Sequence, residues 1–171
     1  FWLANFGDAK PDAPSASVPE QLRRADHETI TAFLRGLFST DGGLQKGRYP
    51  RLWSASESLI DGVQQLLLGI GIPAARWELD SENRDYYNLG PTGELGLTGF
   101  AERVGFVDTR DDELAESLED AIFRGTTFGE IRDESTWAVP VERVEDAGTD
   151  TVYDVTVEGD HEYLADSVVS H

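Results

Sequence analysis

Residues 30–43 read Ile-Thr-Ala-Phe-Leu-Arg-Gly-Leu-Phe-Ser-Thr-Asp-Gly-Gly, and their pattern decides how the rest of the chain is read. Ile30, Phe33, Leu34, Leu37 and Phe38 fall at i, i+3, i+4, i+7 and i+8, the spacing of one apolar face of an α-helix. Ala32, Gly36 and Thr40 make a second stripe at spacing four, and side chains this small let another backbone approach closely. Asp26 is placed to cap the start, since a short side-chain oxygen can accept from a backbone N–H of the first turn. Gly42 and Gly43 are expected to end the helix. Asp41 stands at its C-terminal end, where the helix dipole disfavours a carboxylate. A bound cation would remove that penalty, and a solvated Asp-Gly turn would tolerate it; both readings stay open.

Outward from this helix the elements follow one another at short intervals. Upstream, residues 7–19 hold three prolines among Gly, Asp and Ser, a loop or linker. Phe1-Trp2-Leu3-Ala4-Asn5-Phe6 has no basic leader and reads as the end of an element that begins upstream. Downstream, a hairpin is expected around Gly47, with Tyr49, Arg51 and Trp53 on one face of its second arm. Ser54 and Glu57 form a capping box for a helix carrying Leu59, Ile60, Val63, Leu66, Leu67 and Ile70, stopped by Gly69, Gly71 and Pro73. Strands are expected at 75–79 and 86–89, then helices at 93–104 and 112–124. The order is α-β-β-α-β-β-α-α. After Ser135 the pattern changes to short β-like runs at 138–144, 151–157 and 163–169, parted by Asp146-Ala147-Gly148 and Glu158-Gly159-Asp160. An α+β chain with a boundary near residue 135 is therefore expected.

Charge narrows the function. Thirty-three acids against fourteen bases give a formal −19, and only Lys10 and Lys46 are lysines. Such a field repels DNA at ordinary ionic strength. The acids are scattered through patterned segments instead of forming a tail, which favours adaptation to strong salt over an acidic partner-binding tract. No cysteine occurs, so disulfides, thiolate metal sites and a cysteine nucleophile within the chain are excluded. No run of eighteen apolar residues is present, so no transmembrane span is expected, and with no export signal the cytoplasm is the default location.

The segment Phe33–Gly42 resembles the LAGLIDADG motif of homing endonucleases. Val18-Pro19-Glu20 resembles the short proline block that leads into the second such motif in inteins, and Leu66–Ile72 resembles the block that follows. The αββαββα order is that family's half-domain. The resemblance implies that two such helices pack at their small residues and that Asp41 binds a divalent ion, Mg2+, beside a scissile phosphate of double-stranded DNA. The family keeps a lysine after the last half-domain helix, where this chain offers Arg110-Asp111-Asp112. Arginine cannot share a proton as a base. The motif's first acid is Ser39 here. Arg48, Arg51, Arg76 and Arg84 are candidates to line a DNA-facing sheet, against the alternative of a solvated face.

The stretch from Val152 to His171 resembles the last two blocks of inteins, in which a Tyr-Asp-Leu-Thr-Val strand leads to a His and a second strand ends in His-Asn. Asp154, His161 and His171 occupy those positions. The resemblance implies splicing by asparagine cyclisation, needing no cofactor. His171 would serve the scissile peptide, His161 would activate the asparagine or protonate the leaving amine, and Asp154 would assist the upstream acyl shift. The terminal asparagine, the N-terminal splicing block, the Thr-x-x-His block and the first LAGLIDADG helix are not in the chain, which would not splice by itself. The implied partners are an N-terminal intein part, on the same precursor or another chain, and the flanking host segments. Three segments result: 1–20 the end of a preceding repeat and linker, 21–135 a LAGLIDADG half-domain, and 136–171 the C-terminal strands of a Hint splicing fold. A splicing element from a halophilic archaeon is the leading expectation. The alternatives are a site-specific DNA endonuclease as the main activity, with a half-domain that dimerises through Ala32, Gly36 and Thr40, and a salt-adapted acidic interaction domain without catalysis.

At ~1 M salt the Debye length falls to about 3 Å, so self-repulsion among the acids is screened. The chain should therefore be partly unfolded in dilute buffer and gain structure as monovalent salt passes that level, followed by circular dichroism. A signal already complete at low salt, and no more resistant to heat in strong salt, would count against salt adaptation.

Overall fold

The computed structural model describes residues 13–81 and 84–119, and beyond them 130, 131, 137, 138, 143–146, 148, 149, 151, 163–165 and 168–170. The chain packs as two units, Phe1–Phe128 and Gly129–His171.

A 3-10 turn, Glu20–Arg24, seats Leu22 in the core and leads to helix α1, His27–Thr40. Asp26 caps it by accepting from the Thr29 N–H at 2.8 Å. Ile30, Leu34 and Phe38 form its buried stripe, with Phe33 and Leu37 half-buried against the same core. Strand β1, Gly42–Gln45, starts immediately afterwards and pairs antiparallel with β2, Tyr49–Ser54. Gly42 is thus a strand residue, and its lack of a side chain serves a close approach. A Cβ there would lie 2.6 Å from the Phe38 carbonyl oxygen and 2.7 Å from that of Arg51.

Helix α2, Glu57–Gly69, is capped by Ser56, which accepts from the Leu59 N–H at 3.2 Å and donates to the Ala16 carbonyl. Ser54 was the expected cap. Its backbone is paired to Tyr87 across the sheet, and its hydroxyl accepts from the Ser56 N–H at 3.0 Å, so the helix begins one cap later. At the other end Gly71, with φ +76°, lets Ile72 N–H reach Leu67 O at 2.8 Å and Gly71 N–H reach Leu68 O at 2.9 Å. This is a Schellman closure, which satisfies carbonyls that the helix leaves open. Gly69 lies inside the helix.

Strands β3, Ala74–Ser81, and β4, Arg84–Pro91, are longer than their sequence signals and pair in register from Ala74↔Pro91 to Ser81↔Arg84. The sheet order is β1-β2-β4-β3, antiparallel throughout. Helix α3, Gly93–Gly99, continues as one π-helical turn, Phe100–Val104, closed by Gly105 N–H on Phe100 O at 2.8 Å. Helix α4 covers Arg110–Glu119, with Leu114 buried; residues 120–124 of its expected span lie outside the described residues. The first unit is α+β. Its helices cover one sheet face, from which Leu52, Ala74 and Leu89 enter the core with Phe38, Ile60, Leu67 and Phe100. Phe100 packs 4.8 Å edge-on to Phe38 of α1 and 5.7 Å from Phe106.

In the second unit β5, Glu130–Ile131, pairs with β6, Trp137–Ala138. Strands β7, Tyr163–Ala165, and β8, Val168–Ser170, pair antiparallel with Tyr163 opposite Ser170. The run 163–169, read from sequence as one strand, is therefore divided between two. Residues 143 and 144, expected to close the strand 138–144, lie outside any, and Val144 is 87% exposed. Of the expected strand 151–157, only Thr151 is described, and it is not in a strand.

Gly42→Ala should destabilise the first unit by about 1–3 kcal/mol, the usual range for overpacking, since both close neighbours are backbone oxygens. Urea unfolding measures this. A variant as stable as the unaltered chain would show that the turn from α1 to β1 has room to shift.

Candidate metal site and nucleic-acid face

Asp41 is the C-cap of α1, in the αR region with its N–H bonded to Leu37 O at 2.9 Å. Its side chain is exposed and borders a concavity of about 670 Å³ whose walls include Pro14, Leu52, Trp53, Leu59 and Tyr86. A carboxylate at this end of a helix adds to the negative end of the dipole. The compensation comes from Arg110. Its guanidinium donates to the carbonyls on either side of Asp41, Ser39 O at 2.6 Å and Gly42 O at 3.2 Å.

Arg110 is itself held. Its Nε donates to Asp108 Oδ1 at 2.8 Å, Nη2 also reaches Asp108 Oδ2, and the guanidinium lies 4.8 Å from the centre of the Phe106 ring. Hydrogen bonds from the Arg110 side chain and backbone N–H hold the Asp108 carboxyl down at about 2, and Asp108 raises Arg110 in turn. Ser39 adds a second tie between the same segments. Its hydroxyl donates to Arg35 O at 2.6 Å and accepts from the Val107 N–H at 3.1 Å. The residue at the motif's first acidic position thus fastens backbone. Sequence reasoning did not find this role of Arg110. The visible signal was Asp108 two residues before it, since an aspartate ahead of a helix turns back onto the next N–H, here Arg110 N–H at 3.0 Å.

Ala32 and Thr40 are exposed, and a Cβ placed at Gly36 would meet nothing within 4 Å. The small-residue stripe of α1 therefore faces outward from the first unit.

The sheet face turned away from the helices carries Tyr49, Arg51 and Trp53 of β2, with Asn88 and Gly90 opposite on β4. Trp53 is 38% exposed. Arg51 is half-buried; its guanidinium carbon lies 5.8 Å from the centre of the Tyr49 ring, and burial pushes its pKa down. Gly90 leaves it room, because a Cβ there would collide with Arg51 Nη1 and stand 2.5 Å from Pro50 O. Asn88 is 4% exposed, and its Oδ1 accepts no hydrogen bond among the described residues. Arg76 is a correction. Its register partner is the buried Leu89, so it points to the helix side and pairs with Asp61 and, at 3.4 Å, Glu57. Arg48 is exposed at the hairpin tip, and the Arg84 side chain lies outside the described residues.

Among the described residues no group of three or more His, Asp or Glu side chains is gathered to hold a metal ion. Asp41 offers one exposed carboxylate, which fits an ion that takes its remaining donors from water, phosphate and a second carboxylate elsewhere. Asp154, His161 and His171 lie outside the described residues. No helix among the described residues is long and apolar enough to cross a membrane.

Residues 28–105 match the model of the LAGLIDADG-like domain, so the first unit contains such a domain. Across 99% of its length the chain is 32% identical to a DNA polymerase of Thermococcus hydrothermalis, of which it covers 11%. Over 69% of its length it is 32% identical to 14% of the replicative DNA helicase DnaB of Synechocystis sp. (strain ATCC 27184 / PCC 6803 / Kazusa). Over 98% it is 23% identical to 17% of the ribonucleoside-diphosphate reductase NrdEB subunit alpha of Bacillus subtilis (strain 168). The chain thus spans about a tenth to a sixth of the relatives it matches.

The depressed Asp108 carboxyl sets a pH limit on the brace around Asp41. A carboxylate whose folded pKa lies below its unfolded value stabilises the fold above the unfolded value, 3.8, and loses that contribution as pH falls through about 2. An NMR titration should place Asp108 near 2, and Arg110→Ala should return it toward 3.8. A midpoint near 4 in the unaltered chain would mean that the pair does not form in solution.

Proposed function

We propose that this chain is the C-terminal part of an intein: residues 21–135 a LAGLIDADG homing-endonuclease half-domain, and residues 136–171 the C-terminal strands of a Hint splicing domain. The observation that carries the reading is the set of relatives. Nearly the whole chain aligns with a small part of a DNA polymerase and of a ribonucleoside-diphosphate reductase, and two-thirds of it with part of a helicase. These proteins share no reaction that would require a common domain. An element inserted into a host, and independent of what the host does, accounts for a likeness confined to so small a share of each.

In this reading the endonuclease half uses Asp41 as one Mg2+ ligand, with the second carboxylate supplied by another half-domain packed on Ala32, Gly36 and Thr40. The open environment of Gly36 supports that packing. Mg2+, when bound, would polarise the scissile phosphate and its attacking water. The sheet face with Tyr49, Arg51 and Trp53 would meet double-stranded DNA. In the splicing half His171 would protonate the amine leaving the downstream junction, His161 would assist at the same step, and Asp154 would act on the upstream acyl shift. The partners are then the N-terminal part of the intein and the host flanks. A cytoplasmic protein adapted to strong salt, of a halophilic archaeon, suits the −19 charge.

The test is to supply the asparagine after His171, a downstream flank and the N-terminal part with its nucleophile. Ligation of the flanks should follow in strong salt. His171→Ala should slow release of the downstream flank by about 10²–10⁴-fold, the usual worth of general acid–base help. His161→Ala should act on the same step, and Asp154→Ala on the upstream step. Mass spectrometry separates branched intermediate from single-junction cleavage. Unchanged ligation in all three variants would return these residues to plain structure.

A further inference from the structure

We propose that Arg110 is the positioning residue for Asp41, bracing the end of α1 so that its carboxylate is presented in one orientation. The inference rests on the reading of Asp41 as a metal ligand. Two carbonyls bracket Asp41 in sequence, and one guanidinium holds both, Ser39 O through Nη2 and Gly42 O through Nη1. The Ser39–Thr40 and Gly42–Gly43 peptides, each one removed from the peptides of Asp41 itself, are therefore held from a single point. The turn has little slack otherwise, because Gly42 lacks room even for a Cβ and Ser39 Oγ ties the same segment to Val107 N–H.

The same contacts argue against a role in holding phosphate. A guanidinium has five N–H donors in a planar fork. Asp108 takes the Nε donor and one on Nη2, Ser39 O takes the other on Nη2, and Gly42 O takes one on Nη1. One donor remains, and one face of the group is covered by Phe106. A lysine could not replace this arrangement, since an ammonium is a point charge that cannot hold two carbonyls and a carboxylate in one plane.

The experiment compares the complete insert with its Arg110→Lys and Arg110→Ala variants, with Asp41→Asn as control. Three quantities are read: amide hydrogen exchange over residues 40–44, the Mg2+ concentration for half-maximal DNA cleavage, and the KM for DNA. In Arg110→Lys, exchange should quicken and the metal requirement rise, each by about tenfold or more, with the KM for DNA unmoved. Should Arg110→Ala fail to fold, Arg110→Lys still decides. A raised KM for DNA with an unchanged metal requirement would mean a phosphate contact and overturn the proposal, as would Arg110→Lys indistinguishable from the unaltered insert. If the unaltered insert cleaves DNA with no divalent metal, or never cleaves it, the reading of Asp41 falls by itself, and quickened exchange in Arg110→Lys then leaves Arg110 as a helix cap only.

Discussion

The first three helices of the first unit are held at their C-terminal ends by arginines from other elements. Arg103 donates to Ile70 O at the end of α2, and Arg35 of α1 donates to Val104 O and, at 3.5 Å, to Arg103 O at the end of the π-helical turn. Arg110 closes the set on Ser39 O and Gly42 O at the end of α1. Each helix end carries carbonyls without intrahelical partners and the negative pole of the dipole, so a cation there meets both needs. α1 lends its arginine to the end of the third helix, whose own arginine closes α2. Loosening one end therefore frees a neighbour. Three of the fourteen basic residues are committed to this purpose.

That commitment changes how the motif helix is understood. Asp41 looks from sequence like a carboxylate in an electrostatically poor place. In the fold a guanidinium stands behind it and leaves its side chain exposed. The negative pole is answered through the backbone, not by an ion pair with Asp41, so the carboxylate keeps its capacity to bind something else. Asp108 serves Arg110 and not Asp41, which separates the bracing charge from the exposed one.

What was legible in the sequence is what depends on neighbours in the chain. Asp26 as a cap, the buried stripe of α1 and the α-β-β-α-β-β order follow from local spacing and turn chemistry, and the structure keeps them. The misreadings come from pairing at a distance. Ser54 fits a capping box until β4 claims its backbone through Tyr87. Arg76 falls among arginines that could share a sheet face, and only its register with Leu89 turns it to Glu57 and Asp61. Tyr163–Ala165 and Val168–Ser170 pair as two strands, whereas in sequence Asp166 and Ser167 are two polar residues among apolar ones, which also suits a single alternating strand. At the candidate site Asp41 could be read because it ends an apolar helix. Arg110 could not, because its targets lie about seventy residues upstream.

Salt poses the remaining physical problem. Strong salt screens the repulsion among thirty-three acids, but it also weakens every contact that works by releasing counterions from DNA phosphate. A DNA-facing surface on this chain would gain little from adding charge. Short-range contacts suffer less, and those are what the outer sheet face offers: an exposed indole at Trp53, an arginine half-buried beside Tyr49, and an amide at Asn88 whose acceptor is unused among the described residues. Half-burial also protects the Arg51 charge from screening, at a desolvation cost seen in its lowered pKa. Specific hydrogen bonds and stacking in place of a broad basic field are the form of recognition that a −19 chain in strong salt can sustain.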